Sequence, residues 1–131
     1  MEALFQLPDE YISLRKSVRA LAEEKIAPFA RDVDENARFP EEAAVALSAN
    51  KLSAAHVPEE FGGEGADALA VVLIIEEIAR VCGSSSLIPA VNKLGSLPLI
   101  LAGNKDQKER WLRPLSKGKG FSYCLSESEA G

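Results

Sequence analysis

Residues 67–82, DALAVVLIIEEIARVC, decide the fold class. The apolar run from Val71 to Ile75 suits a buried strand as well as a buried helix. The wider stretch favours the helix. It is longer than an ordinary strand, has no internal Pro or Gly, and places Glu76 and Arg80 at helical i,i+4 spacing. Asp67 is positioned to cap the first turn. Apolar residues run nearly all round, so this helix is expected to be the most buried element.

Toward the N-terminus, residues 5–36 carry one apolar stripe: Tyr11, Leu14, Val18, Leu21, Ile26, Phe29 and Val33. Pro8, Asp9 and Glu10 suit the positive end of that helix, and Pro28 predicts a kink or local break. A helix restarts at Pro40, with Ala43, Ala44 and Leu47 inward and Asn50 as a left-handed stop. Residues 51–66 read as a loop in which Gly62, Gly63 and Gly65 permit positive φ or close backbone approach.

Beyond the central helix, Ser84 to Ser86 can cap a helix running to about Ala102. Pro89 fits its first turn, Pro98 should distort its later part, and Gly103 ends it. Asn104 and Gln107 form a capping pair for a last helix, with Trp111, Leu112 and Leu115 inward and Gly118 or Gly120 as its end. From Phe121 the apolar period changes to two, which predicts a short strand over 121–126.

The expected fold is therefore all-α: a bundle of about five helices over residues 1–120, with one short C-terminal strand in 121–131. A single strand leaves its N–H and C=O groups unpaired, and no upstream segment offers a partner. The strand is expected to open a β-domain lying beyond Gly131.

Composition narrows the function. A net charge of −5 and a pI near 5.0 argue against a nucleic-acid partner. The cluster Lys105, Lys108, Arg110 and Arg113 reads as a solvated helix face. No apolar run approaches the roughly 20 residues that span a bilayer, so no membrane partner is expected. The acidic start, MEALFQLPDE, does not read as a secretory signal. Cys82 and Cys124 read as reduced thiols in a cytoplasmic protein. His56, the single histidine, has no Cys or carboxylate cluster around it, so no metal site is expected, and no nucleophile is paired for a triad. GGEG at 62–65 lacks the ending and setting of a phosphate loop, and Glu127 with Glu129 reads as an exposed loop rather than an acid/base pair. Residue chemistry alone yields a helical domain and no reaction.

Three stretches, taken in order, add more. VPEEFGGEG at 57–65 is similar to a Pro-x-x-aromatic-Gly-Gly-x-Gly loop. NKLGSLPLILAGNKDQKERWLRPLSKGKG at 92–120 has a Leu-Gly, an apolar run, a Gly and then Gln-Lys. YCLSESEAG at 123–131 is similar to a signature of small residue, aliphatic, Ser or Thr, Glu, two variable positions, small residue and Gly, whose last two positions, Ser/Thr-Asp, fall beyond Gly131. Together they resemble the acyl-CoA dehydrogenase family, and EEIARVCGSSSLIPAVNKLG adds likeness to its actinobacterial members.

The resemblance implies a helical N-terminal domain followed by a β-domain and a second helical domain. It implies FAD as cofactor and oxidation of the Cα–Cβ bond of an acyl-CoA. A Glu base beyond residue 131 takes the α-proton, and the flavin takes a hydride. It further implies reoxidation by an electron-transferring flavoprotein, a homotetramer, and a cytoplasmic setting in a bacterium. Tyr123, Cys124, Leu125, Ser126 and Gly131 would contact the flavin, with backbone near Leu125 and the Ser126 hydroxyl on its polar edge. Ser86, Leu87 and Ala90 would line the acyl pocket. Ser128-Glu129 departs from the pattern by placing an acid where many relatives carry apolar or small residues. A flavin acyl-CoA oxidase would share these motifs. A non-catalytic helical interaction module is the alternative from another class.

Overall fold

The computed structural model describes residues 6–129, so Gly131 and the expected helix start at Phe5 lie outside the described residues. Among the described residues there are six α-helices: α1 Asp9–Lys25, α2 Ala27–Glu35, α3 Glu41–Ala49, α4 Ala68–Ala79, α5 Gly83–Ala102 and α6 Lys105–Ser116. A 3-10 turn, Glu59–Phe61, lies in the loop before α4. The all-α expectation holds.

The decisive stretch is helical. Asp67 accepts a hydrogen bond from the Ala70 N–H at 2.8 Å, which satisfies one of the free amides of the first turn of α4. Val71, Leu73, Ile74 and Ile78 are buried, and α4 packs between α1 and α5. Its inner face joins Val18, Ala22, Ile26, Val33, Ala43 and Leu47 in the main core. A second cluster, Ala54, Val57, Phe61, Leu112 and Leu115, lies where α6 covers the 3-10 turn, and Phe121 packs on it. In that loop, a Cβ on Gly63 would lie 2.0 Å from the Val57 carbonyl oxygen, so only glycine lets the two strands of backbone approach.

Several local expectations are corrected. The break expected at Pro28 is present and divides the long first segment into two helices, though it falls at Ile26, with Pro28 in the first turn of α2. Asn50 has φ −101°, and Lys51 carries the left-handed φ of 57° instead. The N-cap of α5 is Cys82 and not the serine run; the Ser86 hydroxyl donates to the Gly83 carbonyl. α5 continues through both Pro89 and Pro98. Arg80 pairs with Glu77 rather than Glu76. Trp111 stays half exposed beneath the Arg110 guanidinium, because Leu112 and Leu115 occupy the inward positions.

α5 also qualifies the reading of apolar length: its 20 residues hold an 18-residue window of mean hydropathy 1.2, enough by length and composition to cross a membrane. Its buried Asn92 and Ser96 are instead hydrogen-bonded inside the bundle. Segment 121–126 is irregular, and among the described residues no strand forms. A strand exists only where a neighbour completes its ladder, and the period-two pattern supplies no neighbour.

Candidate functional site

The candidate site is where the chain leaves the bundle. α6 ends at Ser116; two residues on, Gly118 has a φ of 92°, and an added Cβ there would lie 2.3 Å from the Ser48 hydroxyl oxygen on α3. The chain then crosses α5. The Phe121 N–H donates to Asn92 Oδ1 at 2.9 Å. The crossing is close because residue 95 is glycine: a Cβ there would lie 3.1 Å from the Ser122 carbonyl oxygen. Beyond it, Tyr123, Cys124, Leu125 and Ser126 stand exposed. Among the described residues, their main-chain groups make no hydrogen bond to the bundle. They form a free polar backbone edge with two hydroxyls, those of Tyr123 and Ser126.

Phe121, just before this edge, lines a groove of about 650 Å³ between the start of α3, α5 and the turn after α6. Leu87, Ile88, Val91, Phe39 and Phe121 make it apolar. Of the three residues expected in an acyl pocket, Leu87 lines the groove and is 59% exposed. Ser86 is buried with its hydroxyl turned to Gly83, and Ala90 is half-buried outside the lining. Arg38 stands at the rim but already carries two carboxylates: Glu42, bound in bidentate fashion at 3.0 and 2.9 Å, and Asp32. Its guanidinium holds both carboxyls below their ordinary pKa, so it is not a spare cation for a ligand.

Below the groove runs a buried polar chain. His56 Nε2 lies 2.7 Å from the Ser96 hydroxyl, which donates to the Asn92 carbonyl at 2.6 Å. The one hydroxyl proton goes to that carbonyl, so His56 donates through Nε2. Burial, with the Lys93 charge adding to it, lowers its pKa to about 4. Asn92 itself, 4% exposed, donates through Nδ2 to the Ser53 carbonyl at 2.9 Å. Sequence reasoning missed Asn92 and Ser96. Their signal was the spacing Pro89, Asn92, Ser96, which puts two polar residues on the inward stripe of an otherwise apolar helix.

The description "Acyl-CoA dehydrogenase, N-terminal domain" belongs to the family model that matches residues 8–119. The chain belongs to the acyl-CoA dehydrogenase family. It is 57% identical over 129 residues to the probable acyl-CoA dehydrogenase fadE25 of Mycobacterium leprae, covering 98% of this chain and 33% of that one. The chain thus spans about a third of the length of the curated relatives it matches. The butyryl-CoA dehydrogenase of Megasphaera elsdenii superposes with TM-score 0.81 at 28% identity, over 97% of this chain and 34% of that one. An acyl-CoA dehydrogenase complexed with FAD from Bacillus anthracis superposes with TM-score 0.81 at 28% identity, over 96% of this chain and 22% of that one. In this acyl-CoA dehydrogenase domain, α5 therefore serves two ends: one stretch walls the groove, and the next carries the outgoing chain.

Proposed function

We propose that the chain is the N-terminal helical part of a flavin-dependent acyl-CoA dehydrogenase that desaturates an acyl-CoA thioester at Cα–Cβ. The observation that carries this reading is an apolar groove, in a family member, lined by Leu87, Val91 and Phe121, with an unpaired backbone edge two residues further along the chain at 123–126. The free edge and the Ser126 hydroxyl fit the rim of a planar, polar-edged ring, as the resemblance implies for FAD. Leu87, Ile88, Val91 and Phe121 fit acyl carbons, which gain about 0.8 kcal/mol per buried methylene. FAD supplies the hydride-accepting chemistry when bound. This chain's own residues orient the ring edge and exclude water from the acyl chain, while the Glu base belongs to sequence beyond residue 131.

Reoxidation by an electron-transferring flavoprotein, a homotetramer and a cytoplasmic bacterial setting belong to the same proposal. They are open to reduction assays, sedimentation and cell fractionation. The central test uses the full-length protein. Purified with FAD and mixed anaerobically with straight- and branched-chain acyl-CoAs, it should lose its yellow colour with at least one of them. A colourless protein that gains no FAD would sink the reading in favour of an interaction module. Bleaching followed by rapid, stoichiometric hydrogen peroxide formation in air would favour an acyl-CoA oxidase.

A further inference from the structure

We propose that Asn92 is a positioning residue: its buried carboxamide fixes the point and direction from which residues 123–126 leave the bundle toward the flavin. The inference rests on the flavin reading above. Asn92 joins three parts of the chain that are far apart in sequence. Nδ2 donates to Ser53 O in the loop before the 3-10 turn, and Oδ1 accepts from the Phe121 N–H, both at 2.9 Å. The orientation of the amide is determined by these partners, because a flip would set donor against donor and acceptor against acceptor.

Asn92 is also held from its own helix. Ser96, one turn later, donates to its carbonyl and accepts from His56. The backbone around the clamp is therefore not free to drift. Gly95 adds a steric stop, since even one methyl group would stand 3.1 Å from Ser122 O and 3.2 Å from Phe121 Cβ. Past Ser122 the described residues make no further hydrogen bond to the bundle. Asn92 is the last polar anchor before the segment that would meet the ring. A carboxamide is well suited to this task. It satisfies a buried carbonyl and a half-buried N–H with one uncharged group.

The test uses the full-length flavoprotein with two variants that reach the segment through different atoms. Asn92→Ala removes the acceptor of the Phe121 N–H. Gly95→Ala keeps the helix but pushes on Ser122. Amide hydrogen exchange localised to Phe121 should quicken about tenfold in Asn92→Ala, the size expected for one lost buried hydrogen bond. In both variants FAD should dissociate about tenfold more readily, and the visible circular dichroism of bound flavin should change. Unchanged exchange at Phe121 in Asn92→Ala overturns the clamp. Faster exchange with wild-type FAD retention and dichroism in both variants overturns its role toward the flavin. If Asn92→Ala does not fold, the flavin readouts of Gly95→Ala decide alone. A wild-type protein that binds no FAD sinks the flavin reading, and the Phe121 exchange comparison still decides whether the clamp exists.

Discussion

Glu77 has no exposed side-chain surface, yet it occupies the same stripe of α4 as Ala70, Ile74 and Ile78. Three guanidiniums make that burial tolerable: Arg15 and Arg19 from α1 and Arg80 from α4, at 2.8 to 3.0 Å. Their hydrogen bonds, Arg19's first, outweigh desolvation and hold the carboxyl at about 2. The three arginines keep two-fifths to half of their side-chain surface in water, so they can resolvate when Glu77 is removed. Glu77→Gln should therefore cost about 2 kcal/mol, below the usual range for breaking a buried pair, and Arg80→Ala less than about 1 kcal/mol. Urea unfolding at neutral pH measures both. The depressed pKa makes this stability fully present above the ordinary carboxyl range near 4.5, with progressive loss as pH falls toward 2. His56 acts in a milder window. Its folded pKa lies below its ordinary 6.5, so the unfolded chain takes up the proton first and stability declines as pH falls from 6.5 toward 4. His56→Asn should flatten the wild-type decline between pH 7 and pH 5 in denaturant titrations. A reading by hydropathy marks Glu77 as polar and hence outward. Only its register with the buried residues of α4 reveals it.

At the scale of elements, boundaries were legible where a single side chain closes a local hydrogen bond. Asp67 caps α4, and Asn104 with Gln107 closes α6 in a reciprocal box at 2.9 Å. Such caps depend on residues three apart, so they are written in the local sequence. Asn104→Ala should cost about 1 kcal/mol and lower the thermal midpoint without altering the near-neutral pH profile; a change below a few tenths of a kcal/mol would deny the box any role. Boundaries set by distant packing were less legible. α5 starts at Gly83 without a side-chain cap and runs through two prolines because α4 and α6 hold it from both sides. Segment 121–126 has a strand's alternation, but alternation states only which residues could share a face. Pairing needs a second chain segment, and the described residues contain none.

At the scale of the whole molecule, the groove is assembled from stretches that no local pattern connects: the start of α3, the first turns of α5 and the turn after α6. The family resemblance singled out Leu87, which lines this groove, whereas Phe39, Val91 and Phe121 enter it only through the fold. Leu87 offers the most selective probe, since it is 59% exposed and contributes little to the core. Leu87→Trp should leave the melting temperature of the full-length protein nearly unchanged, as an exposed substitution does. FAD content should also stay unchanged, because the proposed flavin edge is 123–126 and its proposed anchor Asn92. The larger side chain would occupy groove space otherwise open to about two acyl methylenes, roughly 1.5 kcal/mol of burial, or about tenfold in kcat/KM. The loss should grow with acyl length up to the point where the chain fills the groove. A series of acyl-CoA substrates measures this directly. An equal loss at every length would mean that Leu87 touches the thioester region instead, and no loss at any length would place the acyl chain outside this groove.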